Sequence, residues 1–374
     1  MDKVWIVADS IVSPLGVTTR ENYEKIRQGI SGLQLIEDSA LNAGPFFAGR
    51  VADIKQDGSA SKFESLCKEV IQQLIAKVPV EFGRTIFILS TTKGNISFLE
   101  EGQPDHPRIH LHETAAYLSS AFGFKKHLVV SNACISGVMA LLVGKRMIET
   151  GAYDYAIVVG ADVLSRFIIS GFQSLQALSP EQCRPFDAQR KGINLGECAA
   201  GVVLSGHANW ASEKVNVRIA GGGLSNDANH ISGPSRTGEE LGFAIHQALE
   251  EAGITKDEID FISAHGTATL YNDEMEAKAF NLAQLQGTPL NSLKGYYGHT
   301  LGAAGILETI LSAQSLKEDE LVPSAGFESL GVTQSVNVIK KAQRKVLKTC
   351  LKTASGFGGC NAAIILQKES NLKS

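Results

Sequence analysis

Residues 127–151 read HLVVSNACISGVMALLVGKRMIETG. A short apolar run at Leu128–Val130 stops at Ser131–Ala133, and a stretch of helical spacing follows from Ile135 to Thr150. The pattern is a strand turning directly into a helix, with Cys134 at the turn. Its sulfur would lie beside the free N–H groups of the helix start, where the dipole favours a thiolate and the N–H groups can hold an oxyanion. The competing reading is a small buried side chain where helix crosses sheet, as cysteines often are.

The same alternation runs outward on both sides. Strand-like runs fall at Val4–Val7, Thr85–Leu89, Ala156–Val159 and Ala200–Leu204, then at Val217–Ala220, Ile259–Ser263, Thr288–Asn291, Ser335–Asn337 and Ala362–Leu366. Glu21–Gln28, Lys62–Ile75, Glu113–Phe122, Glu239–Ala252, Asp273–Phe280 and Ala304–Ser315 have helical spacing. Strands alternating with helices imply an α/β fold with parallel sheets covered on both faces. Residues 1–206 and 207–374 are of comparable length and carry a similar order of elements, so a duplicated α/β unit is expected.

The chain has 374 residues, 44% hydrophobic and 20% charged, enough for a large core and two or three folding units. Its balance of 35 basic and 39 acidic residues, −4, carries no signature of a nucleic-acid binder. The opening MDKVWIVADS ends its apolar run too early for a signal-peptide core, and no run of apolar residues is long enough to span a membrane. Six scattered cysteines without a CxxC pair predict reduced thiols and a cytoplasmic chain.

His265, in FISAHGTAT, follows an apolar strand, where α/β sites gather. His299 lies in KGYYGHTLGAAGILETI, five residues after Lys294, and Glu308 follows on the helix, where it could reach back to the lysine. Two histidines and a lysine can together bind a carboxylate and a carbonyl oxygen, although a histidine taken alone is more often a structural residue. His106, His110, His112 and Glu113 have ligand-like spacing but match no metal pattern and sit in a polar, proline-containing excursion over residues 100–112. His127, His207, His230 and His246 show no partner signal. Neither AGGGL (220–224) nor GFGG (356–359) completes a dinucleotide or phosphate-loop motif, and GFGG reads as a tight turn beside a substrate.

SNACISG, AHGTAT, KGYYGHTLGAAGILE and ASGFGGCNAA, in that order, resemble the motifs of the β-ketoacyl-acyl-carrier-protein synthases. IVSPLG at 11–16 and CRPFDAQRKGINLGECAAGVVL at 183–204 are similar to other segments of that family, so the resemblance covers nearly the whole chain. It implies a thiolase fold, two similar halves making a five-layered α-β-α-β-α structure, and the Cys-His-His arrangement of the elongating enzymes. Cys134 would then take the acyl chain, and His265 and His299 would bind a malonyl thioester and promote its decarboxylation. Lys294 would orient His265 and tune the charge of the site, with Glu308 as its ion-pair partner. Backbone N–H groups of Cys134 and Phe357 would form the oxyanion hole, Phe357 would gate the acyl pocket, and Thr267 and Thr269 would hold the pantetheine arm. The implied partners are acyl carrier protein bearing acyl and malonyl thioesters, and a second subunit in a homodimer or a heterodimer with a related synthase. No metal or organic cofactor is implied.

The chain also departs from the family pattern. HGTAT-Leu270-Tyr271-Asn272-Asp273 stands where HGTGT followed by Pro, Gly and Asp is common, which resembles the synthases of aryl-polyene and flexirubin-type pigment clusters. Ala8-Asp9 replaces a glycine pair, and Ile135 puts a β-branched residue after the nucleophile, narrowing the pocket mouth. A partner resembling a chain-length factor, which shapes the tunnel of an active synthase, is the alternative function. Such partners usually lack the nucleophile that this chain keeps. A hydrolase or acyltransferase on the same scaffold is a third reading, and two retained histidines disfavour it.

Overall fold

The computed structural model describes residues 3–52, 54, 58, 60–207, 215–228 and 233–370. The main sheet contains β1 (Val4–Val12), β2 (Thr85–Ser90), β3 (Lys126–Val130), β4 (Tyr155–Asp162) and β5 (Cys198–Ser205). It continues with β6 (Val215–Asn226), β7 (Phe261–Ser263), β8 (Pro289–Asn291), β9 (Asn337–Val338), β10 (Thr349–Ser355) and β11 (Cys360–Ser370). Across the sheet the order is β9-β8-β7-β10-β11-β6-β1-β5-β4-β2-β3.

The sheet is mixed, which corrects the expectation of parallel sheets. β3, β2 and β4 are mutually parallel, as are β8, β7 and β10, but β5, β1, β6 and β11 join them by antiparallel pairs. The physical reason is visible at β10 and β11, which are joined only by Gly356–Gly359, far too short for a crossover between parallel strands. Each half therefore repeats one pattern: parallel strands (β3, β2 and β4, or β9, β8, β7 and β10), an antiparallel neighbour (β5 or β11), and a long strand at the centre (β1 or β6). The halves meet where Val4, Trp5 and Ile6 pair with Ile219, Arg218 and Val217.

Among the helices of the first half are α1 (Thr19–Arg27), α2 (Lys62–Lys77), α3 (Leu111–Phe122), α4 (Ser136–Glu149) and α5 (Arg166–Ser174). In the second half come α6 (Glu239–Ala252), α7 (Leu270–Leu282) and α8 (Ala304–Glu318). Three apolar clusters set the layers. One joins α2 and α3 to β2 and β4 through Phe63, Val70, Leu118 and Phe87. Another joins α6 and α7 to β7 and β10 through Leu241, Ile245, Ile262 and Leu351. The third lies between, where Val138 and Leu141 of α4 and Ile306 and Ile310 of α8 meet residues of both halves. The sequence of layers is helix, sheet, helix, sheet, helix. A helix in the middle layer has no wet face, and α8 is buried at nearly every position.

The starts of α4 and α8 touch backbone to backbone. A Cβ on Gly305 would fall 2.5 Å from the Val138 nitrogen, and one on Gly137 would fall 2.9 Å from that of Ile306. The glycines of AGGGL serve a similar purpose between strand and helix: a Cβ on Gly223 would stand 2.0 Å from the Ala244 carbonyl oxygen in α6. That close approach gives the glycine run a packing reason. Strand β10 and helix α5 have no counterpart in the sequence reading. In TCLKTAS a lysine interrupts the apolar pattern of the strand.

Gly305→Ala is expected to destabilise the chain by about 1–3 kcal/mol, the usual cost of overpacking. Gly171→Ala, in α5 with open space around it, should be neutral or stabilising by about 0.5–1 kcal/mol. Thermal unfolding of the two variants beside the wild type checks both signs.

Candidate active site

Strand β3 delivers the chain to Ser131, and α4 begins at Ser136. Between them Ala133 takes a left-handed conformation (φ 44), which an alanine adopts only when its surroundings impose it. Ser136 imposes it here: its hydroxyl donates to the Ala133 carbonyl oxygen at 2.6 Å and accepts from the Asn132 N–H at 2.8 Å. The resulting elbow presents Cys134, which is buried.

His265 follows β7 on a loop wrapped around two buried carboxylates of α7. The N–H groups of His265 and Gly266 donate to Glu276 at 2.8 and 2.6 Å, and those of Thr267 and Ala268 donate to Asp273 at 2.9 and 3.2 Å. These contacts hold Ala268 at φ 62, so the missing glycine is replaced by imposed strain rather than by another turn. Burial pushes Asp273 up to about 7 and raises Glu276 as well. Neither carboxylate was singled out as a site residue from sequence. Their spacing from His265, at eight and eleven residues on one helix face, is the signal that points to them.

His299 lies between Asn194, whose carbonyl oxygen accepts its N–H at 2.7 Å, and Gly196, whose N–H donates to the His299 carbonyl at 3.0 Å. Its Nδ1 accepts from the Leu301 N–H at 3.3 Å, which assigns the proton of the neutral ring to Nε2. Asp162, at the end of β4, takes the Gly302 N–H at 2.7 Å and so ties the His299 loop to the other half of the chain. It too was missed; an acid closing the apolar strand YAIVVGAD is its signature.

The ligand atoms of Cys134, His265 and His299 all lie within 4.8 Å of one another, and the two rings meet edge-on with centroids 5.1 Å apart. The structure therefore brings together all three sequence candidates. Lys294 follows closely behind, its Nζ 2.5 Å from Glu308. All three residues of the trio line one cavity of about 620 Å³ with Thr267, Thr269 and Phe357. The two threonine hydroxyls are 2.9 Å apart, and the half-exposed Phe357 ring stands against Phe172 with centroids 5.7 Å apart.

The resting thiolate expected from the helix start is corrected. Burial pushes Cys134 up to about 12, with Cys360 acting in the same direction, and Lys294 and the Phe357 backbone oppose them. The helix start cannot offset complete desolvation. Burial also holds both histidines well below 6.5, reinforced by Lys294 and by the buried Lys352. The centre at rest is a thiol beside two neutral imidazoles, with His265 Nδ1 and His299 Nε2 buried and unpartnered. A cysteine and two histidines are also zinc-type donors. Two lysines sharing the single carboxylate Glu308 leave positive charge behind them, which favours an anion there over a cation.

In the second histidine cluster His110 stacks on His112 with centroids 5.8 Å apart, and His112 lies 3.3 Å from Glu113. His106 stacks on Phe98 and accepts from the Arg108 N–H, His110 and His112 stay near the surface, and no metal-ligand group among the described residues includes them. His230 lies outside the described residues. All six cysteines are free and buried. Among the described residues no helix is long and apolar enough to cross a membrane.

Family models for the beta-ketoacyl synthase N-terminal domain and C-terminal domain match residues 110–209 and 217–328. A 3-oxoacyl-[acyl-carrier-protein] synthase 2 of Rhizobium meliloti is 35% identical over 258 residues, 65% of this chain and 60% of that protein. The protein of the same name from Vibrio cholerae is 28% identical across 98% of this chain and 99% of its own. A chain of the complex between ketosynthase ApeO and its chain length factor ApeC, from Xenorhabdus doucetiae, superposes with a TM-score of 0.86. It is 28% identical, with 98% of each chain covered. The chain belongs to the β-ketoacyl synthase family, and its five layers are those of the thiolase fold.

Unfolded histidines titrate near 6.5, whereas His299 stays neutral in the folded chain well below that. The unfolded state then takes up the proton first, so this residue's contribution to stability is present above pH ~6.5 and lost as pH falls through it. Asp162, Asp273 and Glu276 are raised acids and act in the opposite sense. The comparison must therefore be between wild type and His299→Gln: the melting temperature of wild type relative to the variant should fall between pH 7.5 and 5.5.

Proposed function

We propose that the chain catalyses decarboxylative Claisen condensation between an acyl thioester and malonyl-acyl carrier protein. The observation that carries this reading is the buried thiol within reach of two neutral imidazoles, backed by surplus positive charge and lining a cavity that also holds Thr267, Thr269 and Phe357.

Loading begins with Cys134 giving its proton to a neighbouring imidazole as Sγ attacks the acyl thioester carbonyl. The N–H groups of Cys134 and Phe357 hold the oxyanion, and the carrier's thiol leaves with the proton. Malonyl thioester then enters, its carbonyl oxygen against the Nε2–H of His299 and the ring of His265. The bond to the carboxylate breaks, carbon dioxide departs, and the electron pair becomes an enolate stabilised by these donors and by the charge behind them. The enolate carbon attacks the acyl carbonyl and expels the Cys134 thiolate, which is reprotonated through a neighbouring imidazole by a proton from solvent, since its first proton left with the carrier thiol. Lys294 and Glu308 orient His265 and set the charge, Thr267 and Thr269 hold the pantetheine arm, and Phe357 gates the acyl pocket.

In this reading residues 1–206 carry the nucleophile and residues 207–374 carry the histidines, so the centre forms where two halves meet. The enzyme is cytoplasmic and pairs with a second copy or with a related synthase subunit. The HGTAT-LYND turn and the likeness to a ketosynthase/chain length factor complex support a specialised branch, of the pigment-forming kind, and such a partner. Retention of Cys134, His265, His299 and Lys294 in one constellation supports the catalytic rather than the chain-length-setting member of such a pair.

Cys134→Ala is expected to keep its fold and lose acyl loading and condensation altogether. His299→Ala should load Cys134 at near the wild-type rate while condensation drops by a factor of about 10² or more. Loading is read by intact mass and condensation by product formation; equal loss of both steps in the histidine variant contradicts the division of roles.

A further inference from the structure

Lys352 is completely buried in the middle of β10. Its Nζ lies 2.7 Å from Glu308 Oε2 and 3.3 Å from the Ser263 carbonyl oxygen, and it also donates to the carbonyl of Thr353. Glu308 Oε1 is already taken by Lys294 at 2.5 Å. Two cations thus divide one carboxylate, and the cluster keeps one positive charge in the interior, where an uncompensated charge is costly. A lysine serving the fold alone would be better matched by one acid of its own. Glu276, the other carboxylate close to it, is already held by the N–H groups of His265 and Gly266, by the Thr353 hydroxyl and by the Asn272 amide.

We propose that Lys352 is a second positioning lysine of the site: it clamps Ser263 at the end of the strand that presents His265, and shares Glu308 with Lys294 so that net positive charge stands behind both histidines. The inference rests on the condensing-enzyme reading for its purpose, but the charge relation can be measured without catalysis. The groups that bear on the two imidazoles come from every side. Lys294 and Lys352 act on both rings and His299 on His265, Cys134 faces both across the cavity, Glu308 pairs with the two lysines, and Glu276, Asp273 and Asp162 hold the N–H groups of His265, Thr267 and Gly302 on the flanking loops. Lys352 acts on both rings in the direction that keeps them neutral. Burial lowers its own pKa, and Glu308 counters that fall. Neutral rings donate to the malonyl carbonyl and to the enolate, and the surplus charge favours the negative charge that develops on loss of carbon dioxide.

The test compares wild type, Lys352→Gln and Lys352→Arg. The histidine imidazoles are titrated by NMR on nitrogen-labelled protein, and condensation is followed against pH. In Lys352→Gln the titration of His265 or His299 should rise by about one pH unit. The acid limb of condensation should rise with it, with condensation falling more than Cys134 loading. Lys352→Arg should restore the wild-type limb. Unchanged titration in a folded Gln variant overturns the proposal, as does loss of cooperative melting in the Gln variant alone, which would assign the charge to the fold. A wild type that does not condense contradicts the enzyme reading, while the NMR titration still decides the role of the lysine.

Discussion

The contact of α4 with α8 at Gly137 and Gly305 is the constraint on which the site depends. Each helix is preceded by the loop that carries chemistry, Cys134 before one and His299 before the other. Only where the two backbones touch do those loops meet. A methyl group at either glycine would collide with main-chain nitrogen, which no rotamer change relieves. The duplicated sheet supplies the setting. Two halves of the same topology face one another across the middle layer, and each contributes to the trio from the end of a strand or the start of a buried helix.

Burial then sets the chemistry. Desolvation disfavours charge on the thiol and on both imidazoles, while behind them two lysines share the carboxylate of Glu308. A neutral thiol beside neutral bases is inert until a thioester arrives to receive the sulfur. That suits a nucleophile that must wait for a carrier-bound acyl chain. The excess of lysine over glutamate sits where the proposed reaction develops negative charge, in a medium where water screens little.

Much of this was legible in the sequence, and the limits have physical causes. Cys134 and His265 stand at abrupt strand ends and His299 on the glycine-flanked loop that opens a helix, and glycine and small residues marked these turns, so local pattern was enough to find them. Helix α6 was read at its true bounds, and most strands within a few residues. The antiparallel members were not foreseen because strand direction depends on connection length rather than on residue type. Strand β10 was missed because Lys352 breaks its apolar run, and the partner that neutralises that lysine, Glu308, is 44 residues away in sequence. Glu276, Asp273 and Asp162 carry a spacing or strand-end signal in the sequence, but which loop N–H groups they hold is decided by the fold. The helix-start argument for a thiolate failed because it weighed the dipole and not the desolvation, which is the larger effect in a closed site.

The most direct measurement is the intact mass of the wild-type chain mixed with acyl-carrier protein and then malonyl-carrier protein. The proposed chemistry predicts an acyl adduct on Cys134 that disappears on addition of malonyl-carrier protein, with a 3-oxoacyl product two carbons longer on the carrier. No adduct with any acyl chain, from a folded protein supplied with the carrier, would contradict it and assign the chain to the role of a non-catalytic partner.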